Sequence, residues 1–103
     1  MGKQTIKADT TAEAYLTLLA DRGVDYLFGN AGTDFASVIE ALSKAQLGEA
    51  KSPTPVTVPH ENVAVAMAHG YYLATGRPQA VMLHVTVGTA NGVCGIMNAA
   101  RER

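Results

Sequence analysis

Two groups that exchange protons near neutral pH stand at junctions where this chain changes its local character. Glu61 lies in Pro59-His60-Glu61-Asn62, where the apolar Val56-Thr57-Val58 gives way to an alanine-rich helical stretch over residues 61–75. A carboxylate at a helix start just past a strand sits where a parallel α/β sheet gathers its ligands. The same position favours negative charge through the helix amides, so a capping role is an equally plain account. His84 follows the apolar run Ala80-Val81-Met82-Leu83, where a satisfied core histidine is the common alternative to a functional one. Two glycine-bracketed segments accompany them: Gly29-Asn30-Ala31-Gly32-Thr33 and Gly88-Thr89-Ala90-Asn91-Gly92. Gly29 and Gly32 could serve only to supply positive φ in a turn. Asn30 could serve only its own backbone, and residues 88–92 could be an ordinary loop.

Other chemistries find little support. The glycines do not form Gly-x-Gly-x-x-Gly, and no Lys-Ser/Thr follows them, which argues against dinucleotide or P-loop binding. His60, Glu61, His69 and His84 do not follow a zinc spacing such as His-Glu-x-x-His, so no metal ligand is assigned. Cys94 falls early in an expected helix, where the dipole could activate a thiol, but among Val93, Gly95 and Ile96 it reads as packing.

The elements that must hold these groups emerge from hydrophobic spacing. Thr10-Thr11-Ala12-Glu13 fits a capping box; a helix then runs from about Thr11 to Arg22, with Tyr15, Leu18 and Leu19 on one face and Gly23 ending it. Tyr26-Leu27-Phe28 is a short strand. Thr33 or Asp34 caps a second helix, whose stripe is Phe35, Val38, Ile39 and Leu42. Residues 47–55, with Gly48, Pro53 and Pro55, form a loop. Val56–Val58 is the second strand, and the third helix carries Val63, Ala64, Met67, Ala68 and Tyr71 inward before Gly76-Arg77-Pro78 stops it. Ala80–Val85 reads as a strand covered on both faces. The glycine-rich turn at 88–92 opens a fourth helix with the stripe Val93, Ile96, Met97 and Ala100.

This α-β-α-β-α-β-α order implies a parallel sheet flanked by helices, with right-handed crossovers. The carboxyl ends of parallel strands share one rim, and the three polar clusters each follow a strand, so they are expected to converge there. Only three strands are visible, their sheet would have a bare edge, and no Gly or Pro stops the last helix before Arg103. The expectation is an incomplete portion of a larger domain.

Composition narrows the partners. The 103 residues suffice for one small domain, and 48% apolar with 17% charged residues is a globular composition. A net charge of −1 without a basic patch argues against nucleic acid. The start, Met1 to Ile6, is polar and lacks a signal-peptide core; Ile6 breaks the myristoylation pattern; no apolar run approaches the roughly 20 residues that span a bilayer. One cysteine permits no internal disulfide. A soluble, cytoplasmic protein without a membrane partner is expected.

Three ordered stretches carry a resemblance: Tyr26 to Gly32, His60-Glu61-Asn62 through His69-Gly70-Tyr71 to Pro78, and Leu83-His84 through Gly88-Thr89-Ala90-Asn91. Together they resemble the N-terminal, pyrimidine-binding domain of thiamine-diphosphate-dependent enzymes, of the acetolactate synthase, pyruvate decarboxylase and benzoylformate decarboxylase types. The resemblance implies that residues 1–103 are the N-terminal part of that α/β domain, with three visible strands of the fold. It implies that Glu61 bonds a ring nitrogen of the aminopyrimidine and drives its amino group to the imino form, which then generates the thiazolium ylide that attacks a 2-keto acid. A buried carboxylate with a raised pKa suits that exchange. Asn30 and Gly32 would help bind the cofactor. His84 stands where the benzoylformate-type enzymes carry a catalytic, substrate-contacting histidine, and Thr33 where they have a substrate-contacting serine.

Departures accompany the match. Ala31 replaces a proline of the subgroup's Gly-Asn-Pro-Gly, and His69 stands where an aspartate is common. The diphosphate-binding domain, with its magnesium ligands, is absent. The resemblance therefore implies thiamine diphosphate with Mg2+, a 2-keto acid substrate and a homo-oligomer, dimer or tetramer, for a parent protein, and no catalysis by these residues alone. The alternative is a non-catalytic assembly or binding module that keeps the fold; a generic nucleotide-binding fragment is a weaker third.

Overall fold

The computed structural model describes every residue except Met1, Gln4 and Arg103; the polar start at Met1 and Gln4 and the uncapped end at Arg103 lie, at those positions, outside the described residues. Helix α1 (Thr11–Asp21) begins with a working cap. Thr10 Oγ1 accepts from the Glu13 amide at 3.2 Å, and the Glu13 carboxylate accepts from the Asp9 amide at 3.0 Å. Two orphan amides are thereby satisfied. Glu13 also pairs with Lys44 at 2.6 Å, tying α1 to α2 (Ala36–Gln46). Gly23, at φ +86°, turns the chain out of α1.

Strand β1 (Tyr26–Gly29) is central, flanked by β2 (Thr54–Thr57) and β3 (Ala80–Met82), both parallel to it, in the order β2-β1-β3. Successive side chains of a strand point to opposite faces. Leu27 accordingly packs with Leu16 and Ala41 under α1 and α2, while Phe28 packs with Val58 and Ala64 beneath α3 (Glu61–Thr75). Burying each such large side chain contributes about 1.5–3 kcal/mol. Helix α4 (Val85–Glu102) then lies against α3. Among the described residues, no helix is long and apolar enough to cross a membrane.

The α4 contact corrects the expected glycine-rich turn. Residues 88–92 are helical, and Gly88, Gly92 and Gly95 are the buried residues of α4. A Cβ on Gly92 would lie 3.3 Å from Leu83 and 3.4 Å from Val65; one on Gly95 would lie 2.9 Å from both Val65 and Asn62. The Gly95 amide donates to Asn62 Oδ1 at 2.7 Å. Glycine is a weak helix former, but here its missing side chain lets two helices touch. The expected stripe of Val93, Ile96, Met97 and Ala100 consequently faces outward and is exposed.

Other expectations shift for related reasons. Strand β3 ends at Met82 rather than Val85, and its residues are half-buried rather than fully covered. Strand β2 begins at Thr54, inside the expected loop; it is an edge strand, where Pro55 is tolerated. In α1, Leu16 is buried while Tyr15 and Leu18 are exposed; in α2, Ala41 is buried and Ile39 exposed. In α3, Ala64 and Val65 are buried while Val63 and Met67 are exposed. Neither Thr33 nor Asp34 caps α2: Thr33–Phe35 form a short 3-10 turn, and Phe35 precedes α2 without a side-chain cap.

Candidate functional site

The strand register sets the three junctions level. Gly29 is the partner of Thr57 on one side and of Met82 on the other. The loop after β1 leads through α2 to β2, while β3 lies on the opposite flank, so β1 and β3 border the crevice where the strand order reverses. That crevice is the ligand-binding position of this architecture. Glycine at 29 is required by close approach: a Cβ there would sit 2.7 Å from the Met82 carbonyl oxygen. Neither Gly29 nor Gly32 has positive φ, which corrects the turn-only reading of both.

Glu61 is the first residue of α3, behind a His60 whose Nδ1 accepts from the Asn62 amide at 3.1 Å. Its Oε2 accepts from Asn91 Nδ2 at 3.1 Å, and its Oε1 faces Gly88, where a Cβ would come within 3.4 Å. Asn30 approaches from the β1 loop and donates to the Pro59 carbonyl at 3.4 Å. Glu61 is half-exposed, and its pKa is lowered from the ordinary carboxylate value. Its own backbone amide is the largest cause, followed by Asn91; partial burial opposes them. The expected raised pKa is thus corrected: hydrogen bonding to the charged form outweighs desolvation here.

His84 lies between β3 and α4, outside any strand, which corrects its expected place. Its ring rests on Gly32, where any Cβ would overlap it, and meets Phe35 edge-on at 5.5 Å between centroids. Nδ1 lies 2.7 Å from Asp34 Oδ1, but the approach is not aligned as a hydrogen bond, and Nδ1 is buried without a hydrogen-bond partner. The next residue, Val85, holds φ at 42°. A β-branched side chain there costs about 1–3 kcal/mol. Two bonds over the junction offset it: Gly88 N–H to the His84 carbonyl at 2.9 Å and Thr89 Oγ1 to the Val85 carbonyl at 2.7 Å.

The rim therefore brings together Glu61, Asn30, Gly32 and His84, while Thr33 is exposed at the start of the 3-10 turn. Sequence reasoning places Gly88 and Asn91 in a glycine-rich turn without a contact to Glu61, Phe35 in the apolar stripe of α2, and Asp34 only as a cap. A helix beginning at Val85 would have put Gly88 and Asn91, three apart, on one face toward Glu61. His69 is half-buried in an apolar groove between α3, β3 and α4, and Cys94 is exposed on α4 rather than packed. Among the described residues, no three His, Cys, Asp or Glu side chains cluster to hold a metal ion.

Fold and rim define a parallel α/β domain with its polar groups gathered at the carboxyl ends of the strands. Residues 9–103 match the family described as thiamine pyrophosphate enzyme, N-terminal TPP binding domain, and the chain belongs to that family. It is 35% identical over 95 residues to a Mycobacterium tuberculosis protein assigned provisionally as acetolactate synthase large subunit IlvX, covering 89% of this chain and 17% of that protein. It is 34% identical over 88 residues to the acetolactate synthase large subunit of Haemophilus influenzae, covering 85% of this chain and 14% of that one. A shorter match, 50% identical over 40 residues, joins it to benzoylformate decarboxylase of Pseudomonas aeruginosa, covering 39% of this chain and 8% of the enzyme. The chain thus spans less than a fifth of the length of these relatives.

Proposed function

We propose that residues 1–103 supply the pyrimidine half of a thiamine diphosphate site in a 2-keto acid decarboxylase or carboligase, and do not catalyse alone. The observation that carries this is the Glu61 carboxylate at the rim, held on Oε2 by Asn91 and bordered on Oε1 by side-chain-free Gly88. A carboxylate oxygen beside bare backbone fits the edge of a flat, nitrogen-bearing ring. Bound thiamine diphosphate supplies the carbanion chemistry. The chain's own residues hold and move protons: a ring covering Glu61 disfavours its charged form and moves its pKa upward, so that the protonated carboxyl can donate its proton to the ring nitrogen. Asn91 orients Glu61, and Asn30 and Gly32 shape the wall opposite. His84 serves as the proton-transfer group on the substrate side, with the Thr33 hydroxyl as a substrate contact.

The diphosphate and Mg2+ belong in this reading to other parts of a protein of its relatives' length, of which these residues span 17% and 14%. The exposed apolar residues Val93, Ile96 and Met97 of α4 support a homo-oligomeric parent, and the name of the benzoylformate decarboxylase relative supports a 2-keto acid as substrate. The same apolar face favours the second reading, an assembly module without catalysis. The two are separated by 2-keto acid decarboxylation in a protein that carries this domain at its relatives' full length. Glu61→Ala is expected to lower turnover by a factor on the order of 10²–10⁴; turnover near wild type at limiting cofactor would remove the catalytic reading.

A further inference from the structure

We propose that Asp34 is a positioning residue that fixes the tautomer of His84, holding the proton on Nδ1 and leaving Nε2 as the bare nitrogen that faces the crevice. Two contacts leave the imidazole little choice of orientation. A Cβ on Gly32 would overlap its Nδ1, Cε1 and Cγ atoms, so the glycine backbone packs on the Nδ1 side of the ring, and Nδ1 is buried. Phe35 meets the ring edge-on. Yet 37% of the side chain is exposed while Nδ1 itself is buried, so the open part of the ring is the opposite edge, which carries Nε2.

The buried nitrogen needs a partner, because an unpaired polar atom out of water is costly. Asp34 Oδ1, at 2.7 Å, is the charged acceptor at hand. A carboxylate accepts and never donates when ionised, so it selects the neutral imidazole that carries its proton on Nδ1. The side chain of Asp34 is 49% exposed and can rotate to accept from Nδ1. In a neutral histidine the hydrogen bond made by one ring nitrogen decides the state of the other. Nε2 is then an acceptor, able to take a proton from a group in the crevice but not to donate one until it has done so. That consequence rests on the proposed role of His84; the tautomer itself does not.

The test is the tautomer state of His84, read from long-range proton–nitrogen correlations on the 15N-labelled chain without cofactor at about pH 9, above the ordinary imidazole range. The His84 signals are assigned by their loss in His84→Asn. The wild type is expected to show the Nδ1–H form. Asp34→Ala is expected to shift the tautomer ratio toward Nε2–H by at least about tenfold, as removal of a charge-assisted bond implies. Asp34→Asn, which keeps an acceptor oxygen, is expected to retain the wild-type form. A wild type in the Nε2–H form, or an unfolded wild-type spectrum, overturns the proposal without any variant. An unchanged ratio in a folded Asp34→Ala overturns it as well. Loss of the cofactor reading would leave this result standing, and the reverse holds.

Discussion

The same substitution, glycine to alanine, should change stability in opposite directions at two glycines of adjoining helices. Gly95 of α4 faces α3: an added Cβ would stand 2.9 Å from the Val65 Cβ and Cγ1 atoms and from Asn62 Oδ1. The Val65 Cβ is fixed to its backbone and cannot swing aside, so the helices must part. Overpacking of this kind costs about 1–3 kcal/mol, and separation weakens the bond from the Gly95 amide to Asn62, worth about 1 kcal/mol. Alanine's better helix propensity returns about 1 kcal/mol. The net expectation for Gly95→Ala is a loss of about 1–3 kcal/mol. Gly70 of α3 meets nothing within 4 Å, lies on the exposed side and has no positive φ. Gly70→Ala should therefore gain about 0.8–1 kcal/mol. Urea denaturation of both variants, read as a midpoint change at constant slope, measures the difference. Two changes of the same sign would refute the claim that α4 is held to α3 by its glycine face.

Further expectations follow from the rim and from the α1–α2 junction. Gly32→Ala, tolerated by an extended backbone (φ −127°, ψ 171°), should expel the His84 ring and abolish the ring-current shift from Phe35 in proton spectra; an unmoved His84 would contradict its seat. Glu61 has a depressed pKa, so its stabilising contribution is present above the ordinary value of about 4.3 and fades as pH falls through the folded value. Glu61→Gln should be less stable than wild type at neutral pH, with the gap closing below about pH 4; a pH-independent gap in thermal melts would contradict this. The Glu13 pKa is lowered and the Lys44 pKa raised by their mutual hydrogen bond. Lys44→Met should therefore destabilise between about pH 5 and pH 10, with the loss shrinking on the acid side as Glu13 takes its proton and on the alkaline side as Lys44 sheds its own. Urea midpoints across that range would show a flat difference if the pair contributes nothing.

Local chemistry was legible where it is self-contained. The Thr10–Glu13 cap, the Gly23 stop and the Glu61–Thr75 helix each depend on neighbours within a few residues, and the alternation of elements was enough to imply three parallel strands with a shared rim. What was hidden depends on what an element meets in three dimensions. Glycines at 88, 92 and 95 are poor helix formers in isolation, and only the approach of Val65 and Asn62 explains a helix through them. Once α4 turns its glycines inward, its apolar residues must point outward, which spacing alone assigns the other way. The ionisation of Glu61 divides the two lines of reasoning. The resemblance implies a buried carboxylate with a raised pKa, whereas the helix-start position favours the charge, and its own amide and the Asn91 side chain stabilise it. The closure of Gly32 against His84 joins residues more than fifty apart, and no local pattern encodes it.

The central claim, that Glu61 anchors one half of a ring-binding site at this rim, is tested most directly by titrating 4-amino-2-methylpyrimidine into the 15N-labelled chain. Saturable shifts at about millimolar concentration, centred on the amides of Asn30, Glu61, Gly88 and Asn91 and lost in Glu61→Ala, are the predicted result. Shifts scattered elsewhere, or shifts at the rim that persist without the Glu61 carboxylate, would contradict it.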